Sequence, residues 1–288
     1  MTQPSPASSS SLTVQAAWRE LAARFRLAGL PSPEVDAREL LGLVTALDTT
    51  GLVIRAAQVL SAEQTRRLEA LARRREARQP LQHLLGVVEW AGLNLHVSPD
   101  ALIPRPETEV LLELALDAAK HLVGPRILDV GTGTGALALG LKQARPDAAV
   151  TASDVSAPAL ALATRNAALN GLAVSFVQAD LLTGLRGPYD LLVSNPPYLP
   201  AADEPGAQPE VRFDPALALY SGPDGLDLAR RLVNQASGVL APGGVMLLEL
   251  DPRNVGVLAA ELMGAGWRVR VHSDLTGRAR FLEGRLGV

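Results

Sequence analysis

The sequence predicts an α/β protein: a mostly parallel sheet with helices on both faces, behind a small all-helical domain. Beyond Pro106, short apolar runs alternate with helical stretches to the end of the chain, as in a sheet whose strands are joined by crossover helices. One such run passes through a glycine-rich turn directly into a helical pattern, ILDVGTGTGALALGL (127–141). Residues 12–78 instead place apolar side chains at three- and four-residue spacing and contain no convincing strand.

The elements follow in order. The first eleven residues, MTQPSPASSSS, are polar and rich in proline and serine, and are expected to form a disordered tail. They lack the basic start and apolar segment of an export signal, so a cytoplasmic protein is expected. Within the helical domain, 12–78, Pro31 and Pro33 break the pattern and Gly51 marks another turn. Ser61, followed by Glu63 and Gln64, reads as a helix start. Residues 79–105 change character: 87–90 and 93–97 form two short strands joined by Ala91-Gly92, a hairpin expected to act as connector. In the main domain, 106–288, strands are expected at 126–130, 149–153, 174–178, 190–194, 244–250, 267–272 and 280–285.

Composition narrows the classes. The 288 residues, 48% hydrophobic and 20% charged, suffice for one large domain and a smaller one. No apolar run reaches the roughly 18 residues needed to span a bilayer. Cysteine is absent, which excludes disulfides, thiolate metal sites and cysteine nucleophiles. Net charge is -3, without the basic excess of a protein that grips nucleic acid through phosphates. The one basic stripe, Arg66, Arg67, Arg73, Arg74, Arg75 and Arg78, is diluted by Glu69 and Glu76. It reads as a solvated helix face, or else as a surface for an acidic partner. His83, His96, His121 and His272 have no metal-ligand spacing and are read as structural.

Gly131, Gly133 and Gly135 let the backbone turn tightly and let a ligand come close. Their third glycine comes one residue too early for the dinucleotide G-x-G-x-x-G. Asp129, just before them, suits a cation better than a pyrophosphate, which points to S-adenosylmethionine with its sulfonium and ammonium groups. Thr132 and Thr134 complete the loop. Asp154 ends the next strand, about 20 residues on, where a carboxylate can accept both ribose hydroxyls. Asp180 ends the third strand and could accept from the adenine amino group, beside Leu181. A parallel sheet brings these strand ends to one edge.

The fourth strand runs out through SNPPYLP (194–200). In a doubly wound sheet of order 3-2-1-4-5 it lies beside the first strand, so Asn195, Pro196, Pro197 and Tyr198 adjoin the glycine loop. The prolines stiffen the strip and offer no N–H. The strip therefore presents acceptors, the Asn195 side-chain oxygen and the Pro196 carbonyl, with Tyr198 as a flat wall. Such a strip fits a planar NH₂ group, whose nitrogen gains positive charge as it takes a methyl group. No strong general base is required, since the proton can leave afterwards.

These stretches, with PLQHLLGVVEW (80–90), LIPRPETE (102–109), VRFDPALAL (211–219) and GPDGLD (222–227), resemble the protein-(glutamine-N5) methyltransferases that modify peptide chain release factors, the HemK/PrmC family. The likeness runs from about residue 36 to the C-terminus. Asn-Pro-Pro-Tyr alone is shared with adenine and guanine N-methyltransferases; the combination with Ile-Pro-Arg-Pro-Glu-Thr-Glu and Gln-His-Leu-Leu-Gly is specific. The resemblance implies a Rossmann-like class I methyltransferase sheet, with S-adenosylmethionine held by residues 131–135 and Asp154. It implies a substrate glutamine, from the Gly-Gly-Gln loop of a release factor, held by residues 195–198. The helical domain would help dock the factor, and 199–225 would cover the target peptide. Arg105 and Glu107 would brace the cleft entrance, or form a purely structural junction. Two departures stand out. Leu181 occupies a place where some relatives carry tryptophan, and Glu249-Leu-Asp-Pro-Arg-Asn254 replaces a Glu-x-Gly with a later glutamine.

Two other readings compete. A nucleobase N-methyltransferase would share Asn-Pro-Pro-Tyr but lacks support from a basic excess or an obvious target-recognition domain. A non-catalytic adaptor would bind the cofactor without turnover, which the intact Asn-Pro-Pro-Tyr disfavours.

Overall fold

The computed structural model describes residues 12–286, so the expected tail, 1–11, lies outside the described residues. The chain divides after Leu85 into two compact units. No helix among the described residues is long and apolar enough to cross a membrane.

The first unit is helical: α1 (Val14–Leu27), α2 (Pro33–Thr45), α3 (Thr49–Ile54), α4 (Ala62–Glu76) and α5 (Leu81–Leu85). Pro33 stands at the first turn of α2, where its missing N–H costs nothing. Ser61 caps α4 through a reciprocal pair with Gln64, each side chain taking the other's backbone N–H. Gly51 lies inside α3 rather than at a turn, because the Asp48 side chain accepts from Gly51 N at 2.7 Å and starts a helix there. Phe25, Leu40, Leu41 and Leu52 fill the core. The buried Arg75 donates to Asp36 at 2.7 Å. Arg66 pairs with Glu63, Arg73 with Glu69, and Arg78 donates to the Gly29 carbonyl, so most of the arginine stripe is compensated within its own unit.

The second unit opens with the hairpin β1 (Val87–Trp90) and β2 (Leu93–His96). Its turn uses positive φ at both Ala91 and Gly92, matching the right-handed strand twist. There follow α6 (Glu107–Ala119), β3 (Arg126–Val130), α7 (Ala136–Ala144), β4 (Ala149–Asp154), α8 (Ala157–Asn170), β5 (Ser175–Gln178), β6 (Tyr189–Ser194), α9 (Asp227–Ala236), β7 (Leu240–Glu249), α10 (Val255–Gly264), β8 (Trp267–Ser273) and β9 (Ala279–Leu286). The sheet order is β5-β4-β3-β6-β7-β9-β8, parallel from β5 to β7, with β9 antiparallel to both its neighbours.

Alternate side chains of the central strands feed two separate cores. Ile127, Leu191, Val193, Val245 and Leu247 pack with the hairpin, α6 and α7; Leu128, Leu192, Met246 and Leu248 pack with α9 and α10. Strands buried on both faces explain the continuous apolar runs in the sequence. The hairpin is fastened to the same unit. Asn166 of α8, fully buried, exchanges hydrogen bonds with the backbone of His96 and donates to the Thr134 carbonyl in the glycine loop. Trp90 Nε1 donates to the Arg105 carbonyl at 3.0 Å.

Candidate active site

The strand order reverses between β3 and β6, and a crevice opens there at the carboxyl ends of the strands. Val130 of β3 pairs in register with Ser194 of β6, so the next residues, Gly131 and Asn195, leave the sheet side by side. A cavity of about 360 Å³ occupies the crevice. Its lining includes Asp129, Gly131, Thr132, Gly133, Thr134, Asp154, Asp180, Leu181, Asn195 and Pro197.

The glycine loop takes left-handed φ at Gly131, Gly133 and Gly135. A Cβ at Gly131 would meet no protein atom within 4 Å, so the loop leaves that space open to a ligand. Gly135 differs: its Cβ would lie 3.1 Å from Ala163 Cβ, so this glycine serves the close packing of α7's start on α8 and does not line the cavity. Asp154 accepts from Gly133 N and Ser156 N, both at 2.9 Å. It therefore holds the loop as well as facing the cavity.

Asp129 is 1% exposed. Its Oδ2 accepts from Thr132 Oγ1 at 2.6 Å and Ala138 N at 3.2 Å, while Oδ1 has no partner. Burial pushes its carboxyl up to about 7. A buried acceptor without a donor beside a cavity is the arrangement a cationic ligand would relieve. At the far end, Asp180 is held by Arg231 of α9 at 2.8 Å, both beside the cavity. Leu181 takes a left-handed φ of 52° and supplies an apolar wall.

The strip after β6 divides its residues. Asn195 and Pro197 line the cavity; Pro196 is buried beneath it. Tyr198 turns from the cavity to pack on the α9–α10 core, its hydroxyl 3.5 Å from Glu249 Oε1. Burial, with the Glu249 charge adding to it, holds this phenol well above its usual range. The expected flat wall is thus supplied by Pro197, with Pro215, Leu217 and Ala218 from the following segment. That segment is built of three short 3₁₀ turns, Ala201–Gly206, Pro209–Phe213 and Ala216–Ala218. Arg105 ties it down through Asp214 at 2.9 Å.

Several residues in this arrangement escaped the sequence reading. Thr108 of α6 reaches both Asn195 and Glu249. Asn254 donates to the carbonyls of Tyr198 and Asp224, which answers what the segment after β7 does. Thr108 stood in a quoted motif, and Glu249 ends a strand on the same sheet edge; those were the available signals. Of the histidines, His272 meets Glu283 at 2.9 Å and His83 is buried in the helical unit, both outside the cavity lining.

Comparison with known proteins gives a consistent picture. The family model described as PrmC N-terminal domain matches residues 16–86, and that described as Methyltransferase small domain matches 106–206. A release factor glutamine methyltransferase of Deinococcus radiodurans is 58% identical over 91% of this chain and 95% of that one. Another, from Bradyrhizobium diazoefficiens, is 45% identical over 85% of this chain and 86% of its own. Among solved structures, a methyltransferase from Pyrococcus furiosus matches 68% of this chain and 90% of that chain with TM-score 0.51 and 22% identity, a likeness of fold.

Proposed function

The chain belongs to the release factor glutamine methyltransferase family, and from that premise we propose that it methylates the side-chain amide nitrogen of the glutamine in a release factor's Gly-Gly-Gln loop, using S-adenosylmethionine. The observation that carries the reading is the pairing of Gly131 and Asn195 at the mouths of adjacent strands, over one cavity.

The cavity residues fit the cofactor. The unpartnered Asp129 Oδ1 suits its ammonium or sulfonium, Asp154 retains lone pairs for ribose hydroxyls, and Leu181 offers an apolar face to the base. When bound, S-adenosylmethionine supplies an electrophilic methyl group on a positively charged sulfur.

The chain's own residues do the rest. Asn195 Oδ1, at the cavity wall, accepts a hydrogen of the substrate carboxamide and fixes the direction of its nitrogen. Positive charge building on that nitrogen is stabilised by the same acceptor, which stands ready before reaction. Pro197, with Pro215, Leu217 and Ala218 of the 3₁₀ segment, walls the crevice. The proton then leaves to solvent without a dedicated strong base. The helical unit, matched to the PrmC N-terminal domain, is proposed to help dock the release factor.

Incubation with methyl-labelled S-adenosylmethionine and a folded release factor tests this. Label should enter the factor and disappear when its loop glutamine is replaced by alanine. Label on naked DNA or RNA in place of the factor would establish a nucleobase methyltransferase instead.

A further inference from the structure

An asparagine amide is nearly symmetric in shape, and turned over it would aim donors, not an acceptor, at a substrate NH₂. The side chains behind Asn195 break that symmetry. Asn195 Nδ2 lies 3.2 Å from Thr108 Oγ1, and Thr108 Oγ1 lies 2.9 Å from Glu249 Oε2. An ionised carboxylate can only accept, so the Thr108 hydroxyl proton is committed to Glu249. The Thr108 oxygen is then left as an acceptor, which only the NH₂ side of Asn195 can satisfy. Oδ1 is thereby directed away from Thr108.

We propose that Thr108 and Glu249 are positioning residues that fix the amide orientation of Asn195, so that its oxygen and not its NH₂ meets the substrate carboxamide. The proposal rests on the reading in which Asn195 accepts from that carboxamide. Three elements contribute to the relay: Thr108 from the first turn of α6, Asn195 from the end of β6, and Glu249 from the end of the neighbouring β7. Both Thr108 and Glu249 are buried, a setting that strengthens the hydrogen bond between them. Asn195 and Thr108 both line the cavity, and Glu249 lies behind them.

The relay has a direction that protonation can reverse. The charged and titratable groups facing Glu249 are Tyr198, Arg280 and Glu107; Arg280 favours its ionised form and Glu107 opposes it, while burial lifts the carboxyl to about 7. A protonated Glu249 can donate to Thr108, whose own proton can then turn to Asn195 Oδ1. The substrate would lose its acceptor.

The test compares wild-type enzyme with T108V, T108S and E249Q, measuring methyl transfer to a release factor, cofactor binding by calorimetry and thermal melting. In T108V, kcat should fall roughly 10–100-fold while KM and cofactor affinity stay within about threefold, the signature of a misdirected group in a formed site. T108S restores the hydroxyl and should recover kcat to within about fivefold of wild type. Wild-type kcat should rise with pH through neutrality, and E249Q should lose that limb. Wild-type kcat in T108V would overturn the relay. So would a T108S as impaired as T108V, or a T108V that melts early and no longer binds cofactor, since each makes Thr108 a packing residue. A wild-type enzyme that transfers nothing to any release factor would instead remove the function itself, and the relay with it.

Discussion

Asp129 buries a charge-bearing group that the free protein does not fully satisfy, and its pH behaviour follows. Its carboxyl sits near 7 when folded and near 3.8 otherwise. The folded state therefore holds its proton where the unfolded state has released it, and stability falls as pH rises from about 4 to about 7. A cationic ligand favours the ionised form, so cofactor binding should tighten over the same upper range. Titration calorimetry should find affinity roughly tenfold weaker at pH 6 than above pH 8, the fraction ionised setting the ratio. Asp129→Asn should flatten that dependence. Asp154→Ala removes an acceptor for ribose and a brace on the loop, and should weaken cofactor binding by about 1.5–3 kcal/mol. Asn195→Ala should lower turnover at least about 100-fold with cofactor affinity nearly intact. A drop in cofactor affinity matching the drop in turnover would assign Asn195 to the cofactor instead. The acids and Asn195 could be read from residue type and position at strand ends. Thr108 and Glu249 could not, because their contact joins positions 141 apart in sequence.

Among the elements, the strip after β6 owes its path to a glycine far along the chain. Gly225 has φ +80°, and a Cβ there would overlap the Tyr198 carbonyl oxygen and crowd Asn254 Nδ2. Gly225→Ala is therefore expected to displace the strip, cutting turnover more than about tenfold while costing about 1–3 kcal/mol of stability. Kinetics together with denaturant unfolding would check both figures; an alanine variant with wild-type kcat would show the strip to be held elsewhere. Most strands were legible because apolar runs bounded by turn residues leave little else for the chain to do. β7 shows the limit. It starts at Leu240, four residues before the expected 244, and runs through Pro242-Gly243-Gly244. Those residues signal a turn, and the structure keeps it as a bulge: Leu240 pairs with Tyr189 and Val245 with Leu191, with Gly243 at φ 77° between them. α3 shows another: one Asp48 side chain turned a glycine position into helix.

For the molecule as a whole, the order of strands in the sheet converts distant motifs into one site. Parallel strands deliver the ends of β3, β4, β5, β6 and β7 to one edge, and the reversal between β3 and β6 makes the crevice. That much followed from alternation and spacing alone. The turning of Tyr198 towards Glu249, and the Arg105–Asp214 tie across the segment after it, required packing that no local pattern records. The central claim is that two neighbouring strand ends hold a methyl donor and a substrate carboxamide against each other. Tandem mass spectrometry of a release factor co-expressed with this chain tests it most directly. The account predicts one added methyl group, on the side-chain amide of the Gly-Gly-Gln glutamine, absent when the partner is the Asn195→Ala variant. A methyl group on any other residue, or an undiminished signal with that variant, would contradict it.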